Sequence, residues 1–354
     1  MSAAMSLGSS QLELVGIVDI KFKLETYGLL IRSGRAKEIL GAADVVPMTI
    51  SRTYTVESGL STIGAAAGEE ATKKAKEVEN GPSTIEVPYI PASSLKGRIR
   101  SLLELAYNLP LYTTDNKIYL HMRVVKDDVV HKDPYCPIDN IFGTPAIDEE
   151  KLRKKGLQSL FKCWAPSRAI FRDLFPSEEY IKGLCKEKSC SDITLDDFVE
   201  EKWENRIDRV TSTADPRNVL RLKPGVEFDG SITILIFDLD ICIREECNQL
   251  PSAYRDKVGD SPAKFYIQTL LRGLELVETT YLGASGTRGY GQVKFKKLKA
   301  EFKPIAPRAK NVTPSAVKCK DAQDNEVECN DLAKFTDNVL KWDLWNGLKG
   351  LCKS

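Results

Sequence analysis

Apolar and polar residues alternate near the start of the chain. From Gln11 to Leu24 the apolar side chains fall at Leu12, Leu14, Val18, Ile20, Phe22 and Leu24. A period close to two predicts a strand with one buried face. The following stretch, GLLIRSGRAKEILGAADVVP, is glycine-punctuated and reads as loop. Residues 51–87 are polar and rich in Ala, Glu and Lys, which predicts a mobile insertion with one short helix over 65–78. PASSLKGRIRSLLELAY carries the clearest helical pattern: Pro91 and Ser93 or Ser94 mark its start, and Leu95, Ile99, Leu102, Leu103 and Ala106 form an apolar stripe.

RAIFRDL (168–174) predicts a further strand, and SITILIFDLDICI (231–243) a strong, largely buried one. Residues 262–279 predict a helix with Pro262 in its first turn. The glycine-rich LGASGTRGYG then leads into the strand QVKFKKLKAEF (292–302). Between 195 and 225 the chain is charged and turn-rich, without a core pattern. Two strand–helix–strand units imply an α+β fold. They predict a ferredoxin-like (RNA-recognition-motif-like) palm over residues 1–302 with long insertions at 51–87, 115–165 and 195–228. Residues 303–354 form a C-terminal extension, in which WDLWNGLKGL (342–351) predicts a small packing helix.

The totals narrow the picture only slightly. The chain has 354 residues and a formal net charge of +1, so only a local concentration of cations would favour a polyanionic partner. No apolar run approaches the roughly 20 residues a membrane helix needs, and MSAAMSLGSSQLEL lacks the basic and apolar parts of a signal peptide. These features predict a cytoplasmic protein without a membrane partner. The nine scattered cysteines are expected to be reduced in such a protein, with Cys185–Cys190 and Cys319–Cys329 as local pairs if the source is hyperthermophilic.

Three basic stretches carry candidate chemistry. Lys96, Arg98 and Arg100 occupy the first two turns of the helix that starts near Ser94, the electropositive end, where cations are unfavourable unless an anion is bound. A solvated basic face is the plain alternative. The S-x-x-K at Ser93–Lys96 lacks the S-D-N and K-T-G partners of a penicillin-binding serine site. The loop LGASGTRGYG has its helix before it and its strand after it, the reverse of a dinucleotide fingerprint. It offers instead close backbone approach at Gly286 beside Arg288 and Tyr290, which suits phosphate contact and base stacking. NRIDRVTSTADPRNVLRLKPG reads as an irregular hairpin presenting cations such as Arg209 and Arg217. Finally, HKDPYCPIDNIFGTP holds Cys136 and Asp139 in C-x-x-D spacing near the only two histidines, His121 and His131. Metal site, remnant of one and ordinary loop all fit this spacing.

YIPASSLKGRIRSLLE, ENRIDRVTSTADPRNVLRLKPGVEF and LGASGTRGYGQVKF, with RAIFRDLFP and IFGTP, together resemble the RAMP superfamily. The resemblance is strongest to the repeated Csm/Cmr-type backbone subunit of type III CRISPR effector complexes and spans about residues 10–300. It implies a palm that binds CRISPR guide RNA through Ser94, Lys96, Arg98, Arg100, Gly286 and Arg288. The segment 195–228 becomes a thumb that passes through the guide–target duplex. Other RAMP subunits, copies or paralogues of the chain in a filament, and the large and small subunits of the complex become the expected partners.

The family's active aspartate follows a glycine-rich loop, which in ILGAADVVP places it at Asp44, with Ala42 where a second glycine is usual. The implied reaction is cleavage of target RNA by its own 2′-hydroxyl, assisted by a divalent cation such as Mg²⁺ or Mn²⁺. The family's Cys-Pro-x-Cys-x-x-Phe-Gly segment implies a structural zinc. Here it would be held by His121, His131, Cys136 and Asp139, with Cys163 as a substitute ligand. A non-catalytic architectural paralogue is the competing expectation. A guide-precursor processing endonuclease is a third, disfavoured because both histidines lie at the possible metal site.

Overall fold

The computed structural model describes residues 12–31, 47–56, 81–259, 261–312, 316–320 and 325–353. The first strand, β1 (Leu14–Tyr27), follows the predicted alternation: Val18, Ile20, Phe22 and Leu24 are buried, while Asp19 and Lys21 face the other way. The segment expected as a mobile insertion is corrected at both ends. β2 (Thr49–Val56) and β3 (Gly81–Pro88) pair antiparallel along their whole length. Arg52, Tyr54, Ile85 and Val87 are the reason: Tyr54, Ile85 and Val87 bury as a small β face, and Arg52 lies over the Phe175 ring. The helix expected over 65–78 lies outside the described residues.

Helix α1 (Ala92–Ala106) buries Leu95, Ile99 and Leu103, as its stripe requires. A short helix, α2 (Pro137–Phe142), is buried throughout. β4 (Ala169–Phe171) is shorter than the RAIFRDL pattern suggests. Helix α3 (Glu178–Glu187) starts on a Ser177 cap. β5 (Val199–Ile207) and β6 (Ala214–Leu222) then form a regular hairpin rather than an irregular one. β7 (Glu227–Phe237) ends six residues earlier than its apolar run. At its end Asp240 accepts the Phe237 N–H (2.9 Å) and turns the chain into a short helix.

Helix α4 (Pro262–Thr279) is as predicted, with Ser261 as its cap. β8 (Gln292–Pro304) closes the main sheet, whose order is β8-β1-β7-β4, all antiparallel. The apolar faces of α1 and α4 cover the buried residues of β1 and form the centre of the core. In the extension, α5 (Leu332–Leu340) and α6 (Leu344–Gly350) bury Phe335, Val339, Trp345 and Leu348. Its loops also guard the β8 edge: Leu298 N donates to Cys329 O (2.9 Å) and Val317 N to Ala300 O (2.9 Å).

Two features of the core go beyond the sequence reading, which names only Cys185–Cys190 and Cys319–Cys329 as local pairs. Arg168 is fully buried, donating to Asp240 (2.9 Å) and Asn140 Oδ1 (2.9 Å), so the charge is both paired and hydrogen-bonded. The expectation of reduced thiols is also corrected. Disulfides join Cys163–Cys247, Cys185–Cys190, Cys242–Cys352 and Cys319–Cys329, and only Cys136 is free. Two of these pairs close loops of 84 and 110 residues, tying the middle insertion and the C-terminus to the segment after β7. Pairs this distant along the chain leave no spacing signature. No helix among the described residues is long and apolar enough to cross a membrane.

Candidate nucleic-acid interface

Two of the elements expected to hold RNA, the glycine-rich loop and the hairpin base, meet around one short piece of backbone, Gly28–Ile31, just past β1. Leu222 N at the end of β6 donates to Leu29 O (2.8 Å). From the glycine-rich loop, Ala284 N donates to Leu30 O (2.9 Å) and Gly291 N to Gly28 O (3.1 Å). Gly28 has φ of +69°, a backbone conformation that favours glycine, and packs beside the Arg221 guanidinium. Ile31 and Met48 then line a cleft of about 430 Å³ with Ser94, Gly97, Arg98, Ser101, Gly283 and Ala284. These two residues flank the segment that holds Asp44, which itself lies outside the described residues.

The helix cations divide into three situations. Lys96 is partly buried and in no ion pair among the described residues; burial and then neighbouring Arg100 lower its pKa. Arg98 stacks on the Tyr281 ring at 3.8 Å and donates to Tyr281 O (2.9 Å), fixing α1 to the glycine-rich loop. Arg100 departs from expectation. It pairs with Glu104 (2.8 Å) and donates to His121 O, so it faces the insertion instead of the cleft. The reason is helical spacing, since Glu104 is four residues on. The start of α1 has a carboxylate of its own: Asp173 accepts the Ala92 N–H (2.7 Å).

The glycine-rich loop also sorts its residues. A Cβ on Gly286 would lie 2.0 Å from the Tyr281 ring, so this glycine allows the loop to pack on the ring that Arg98 covers. Arg288 is exposed, donating to Ser285 Oγ (3.1 Å) and lying 3.8 Å from Glu204 of β5. Tyr290 is corrected. It is only 2 % exposed, packed with Leu30 and Val219, and cannot stack on a base. Lys202 lies over its ring at 4.0 Å, and burial, with Glu204 beside it, pushes its phenol up to about 12.

The hairpin presents two different faces. Glu200, Lys202 and Glu204 share one face, on which Glu200 holds Arg221 of β6 (2.7 Å) and Lys202 reaches the glycine-rich loop, donating to Arg288 O (3.4 Å). The other face leaves Trp203 (65 %) and Ile207 exposed, with Val210 (92 %) at the tip. Arg209 is exposed at the tip, and Arg217 lies 3.6 Å from Asp215. Reasoning from sequence missed Lys202, Glu204 and Tyr281. The period-two alternation of VEEKWENRI was the available signal for the first two.

The metal candidates do converge. One donor atom each from His121, His131, Cys136 and Asp139 lie within 4.8 Å of one another. Asp139 Oδ2 is 3.0 Å from His131 Nδ1 and 3.4 Å from His121 Nε2, and Cys136 Sγ is 3.5 Å from the same Nε2. His121 Nδ1 is 2.9 Å from Pro110 O, which as donor leaves Nε2 free to ligate. Asp139 Oδ1 is buried without a partner. Burial opposes the charge on Asp139, yet His121, His131 and Arg123 hold its carboxyl well below the usual range. Two nitrogens, one sulfur and one carboxylate fit a tetrahedral zinc. Cys163 is excluded as a substitute because it is bonded to Cys247.

The sequence matches the RAMP superfamily over residues 22–294. A protein of Mycobacterium tuberculosis named CRISPR system Cms endoribonuclease Csm3 is 32 % identical over 71 % of this chain and 87 % of its own length. Its namesake in Methanothermobacter thermautotrophicus is 32 % identical over 62 % of this chain and 71 % of its own. A crystal structure of a Csm3–Csm4 subcomplex in the type III-A CRISPR-Cas interference complex aligns at 18 % identity with a TM-score of 0.40, covering 93 % of this chain and 98 % of that one.

Proposed function

The chain belongs to the RAMP superfamily, and from that premise we propose that it is a guide-RNA-binding backbone subunit of a type III CRISPR interference complex. The observation that carries the proposal is the junction at Gly28–Ile31, where the glycine-rich loop and the hairpin base are hydrogen-bonded to one backbone segment and Arg98 ties α1 to the start of that loop. The sheet order β8-β1-β7-β4, with α1 and α4 on one face, is read as a ferredoxin-like palm. Lys96 and Arg288 supply cations for guide phosphates, and the loop backbone allows close approach. The hairpin is the thumb, with Arg209 and Arg217 toward the strand and Trp203 as an exposed ring for an unstacked base. Neighbouring copies or paralogues and the other subunits of the complex are its partners.

In this role the chain also cleaves target RNA. The substrate's 2′-hydroxyl attacks the adjacent phosphate and leaves a cyclic phosphate and a 5′-hydroxyl. Asp44 is the expected catalytic residue, together with a divalent cation, Mg²⁺ or Mn²⁺. The architectural reading keeps the same groove without cleavage. Asp44→Ala in a reconstituted complex with matched RNA separates the two: loss of cleavage with guide retained supports catalysis, and unchanged cleavage leaves only the architectural role. Lys96→Glu with Arg288→Glu tests the groove itself, and guide binding as strong as wild type would refute it.

Zinc held by His121, His131, Cys136 and Asp139 staples the insertion beside α1, supplying rigidity and no reaction step. Metal analysis of the purified chain should find one equivalent of zinc, lost in Cys136→Ser; its absence from wild type would end this assignment.

A further inference from the structure

The face of the sheet turned away from α1 and α4 carries cations that the groove does not use. Strand register places Lys21 of β1 directly opposite Lys299 of β8. The register shifts just beyond this pair, and Lys297 occupies the bulge at φ of +50°. Directly opposed like charges destabilise a strand pair. A non-glycine residue in the left-handed region adds a conformational cost, of the kind usually found at working sites. Both costs fall at the same place.

The nearby carboxylates do not relieve them. Asp19 accepts from Thr233 Oγ1 (2.7 Å) and Lys303 Nζ (2.6 Å), with Lys21 only an added electrostatic neighbour. Lys318 engages Glu326, and Lys23 engages Glu179 and Asp229. Asp173 is spent on the start of α1. Glu301 and Glu328 remain on the walls, and no ion pair among the described residues joins either of them to the three lysines. Two adjoining hollows, of about 450 and 560 Å³, share Lys21, Lys297, Lys299 and Glu328. One wall is built by residues 316–319 and 326–329 of the C-terminal extension, beyond the residues that match the family.

We propose that Lys21, Lys297 and Lys299 form a binding site for a compact, multiply charged phosphate group. Three lysines lining the same two hollows suit such an anion. Glu301 and Glu328 beside them oppose a long polyanion lying across the face, which separates this site from the guide groove on the other side of the sheet. The phosphate can belong to a free nucleotide or to the phosphorylated end of an RNA, and the two share the same monoester chemistry.

Calorimetry of the full chain with pyrophosphate tests the proposal, using AMP, 5′-phosphorylated RNA and 5′-hydroxyl RNA as competitors. The wild type should bind pyrophosphate, and the combined Lys21→Gln, Lys297→Gln, Lys299→Gln variant should bind it about tenfold more weakly or worse. Displacement by AMP identifies a nucleotide source; displacement by 5′-phosphorylated but not 5′-hydroxyl RNA identifies an RNA end. No wild-type binding, equal binding by the variant, or binding that none of these phosphates displaces would overturn the site. Lysine acetylation read by mass spectrometry needs no variant: pyrophosphate should shield these three lysines and leave exposed Lys341 reactive, and absence of shielding refutes the proposal.

Discussion

Glu204 is predicted to compete with RNA for the cations at the thumb base, so Glu204→Gln should tighten RNA binding. Its carboxylate lies 3.8 Å from Arg288 and 3.8 Å from Lys202. In water a unit pair at that distance is worth about 1 kcal/mol. Arg288 is more than half exposed, and exposed pairs usually deliver a few tenths to about 1 kcal/mol after screening. A phosphate that takes Arg288 must first displace this carboxylate. Removing the charge should therefore raise affinity about two- to fivefold at low salt, and the gain should fade as the Debye length shortens. Fluorescence anisotropy with single-stranded RNA across a salt series would measure it. Glu201→Gln is the matched control, because Glu201 lies on the opposite face of β5 with the same charge. An equal gain in both variants would mean that only net charge matters. No gain in Glu204→Gln would refute the competition.

Four further outcomes follow from the fold. Thiol titration of the denatured, unreduced chain should find only Cys136, and more thiols would contradict the pairing. In the chain-entropy model the disulfides closing 84 and 110 residues each contribute about 4–5 kcal/mol, so reduction should lower the denaturation midpoint sharply. Asp240→Asn strands the buried Arg168 charge and should cost roughly 3–5 kcal/mol in chemical denaturation; a loss below about 1 kcal/mol would deny the pair its role. Burial alone would raise the Asp19 pKa, but Lys303 and Thr233 outweigh it and hold the carboxyl low. Its stabilising effect is therefore present at neutral pH and lost as pH falls through that lowered value. Asp19→Asn should flatten the acid limb of a stability–pH curve, and an unchanged limb would count against the contact.

Much of this was legible in the sequence, for reasons that particular residues make plain. The α1 stripe and the Pro262 start are local signals, and both helices appear where periodicity puts them. His121, His131, Cys136 and Asp139 were grouped through the family resemblance, with the C-x-x-D spacing as the local hint, and do converge. What failed depended on distant partners. Tyr290 looks like a stacking residue until Leu30 and Val219, far away in sequence, bury it. SITILIFDLDICI reads as one strand because Asp240 looks exposed until Arg168 arrives to pair with it. The β2–β3 hairpin was hidden by the polar stretch between its strands, which dominated the composition of 51–87. Lys202 and Glu204 alternate visibly along β5, but only the glycine-rich loop beside them gives that face a purpose.

Purification of the intact chain from its native host, followed by sequencing of the copurified RNA, tests the central claim most directly. The account predicts RNA of guide length with common repeat-derived ends, lost when Lys96 and Arg288 are both replaced by Glu. Recovery of no RNA, or of RNA with random ends that the double variant retains, would contradict it.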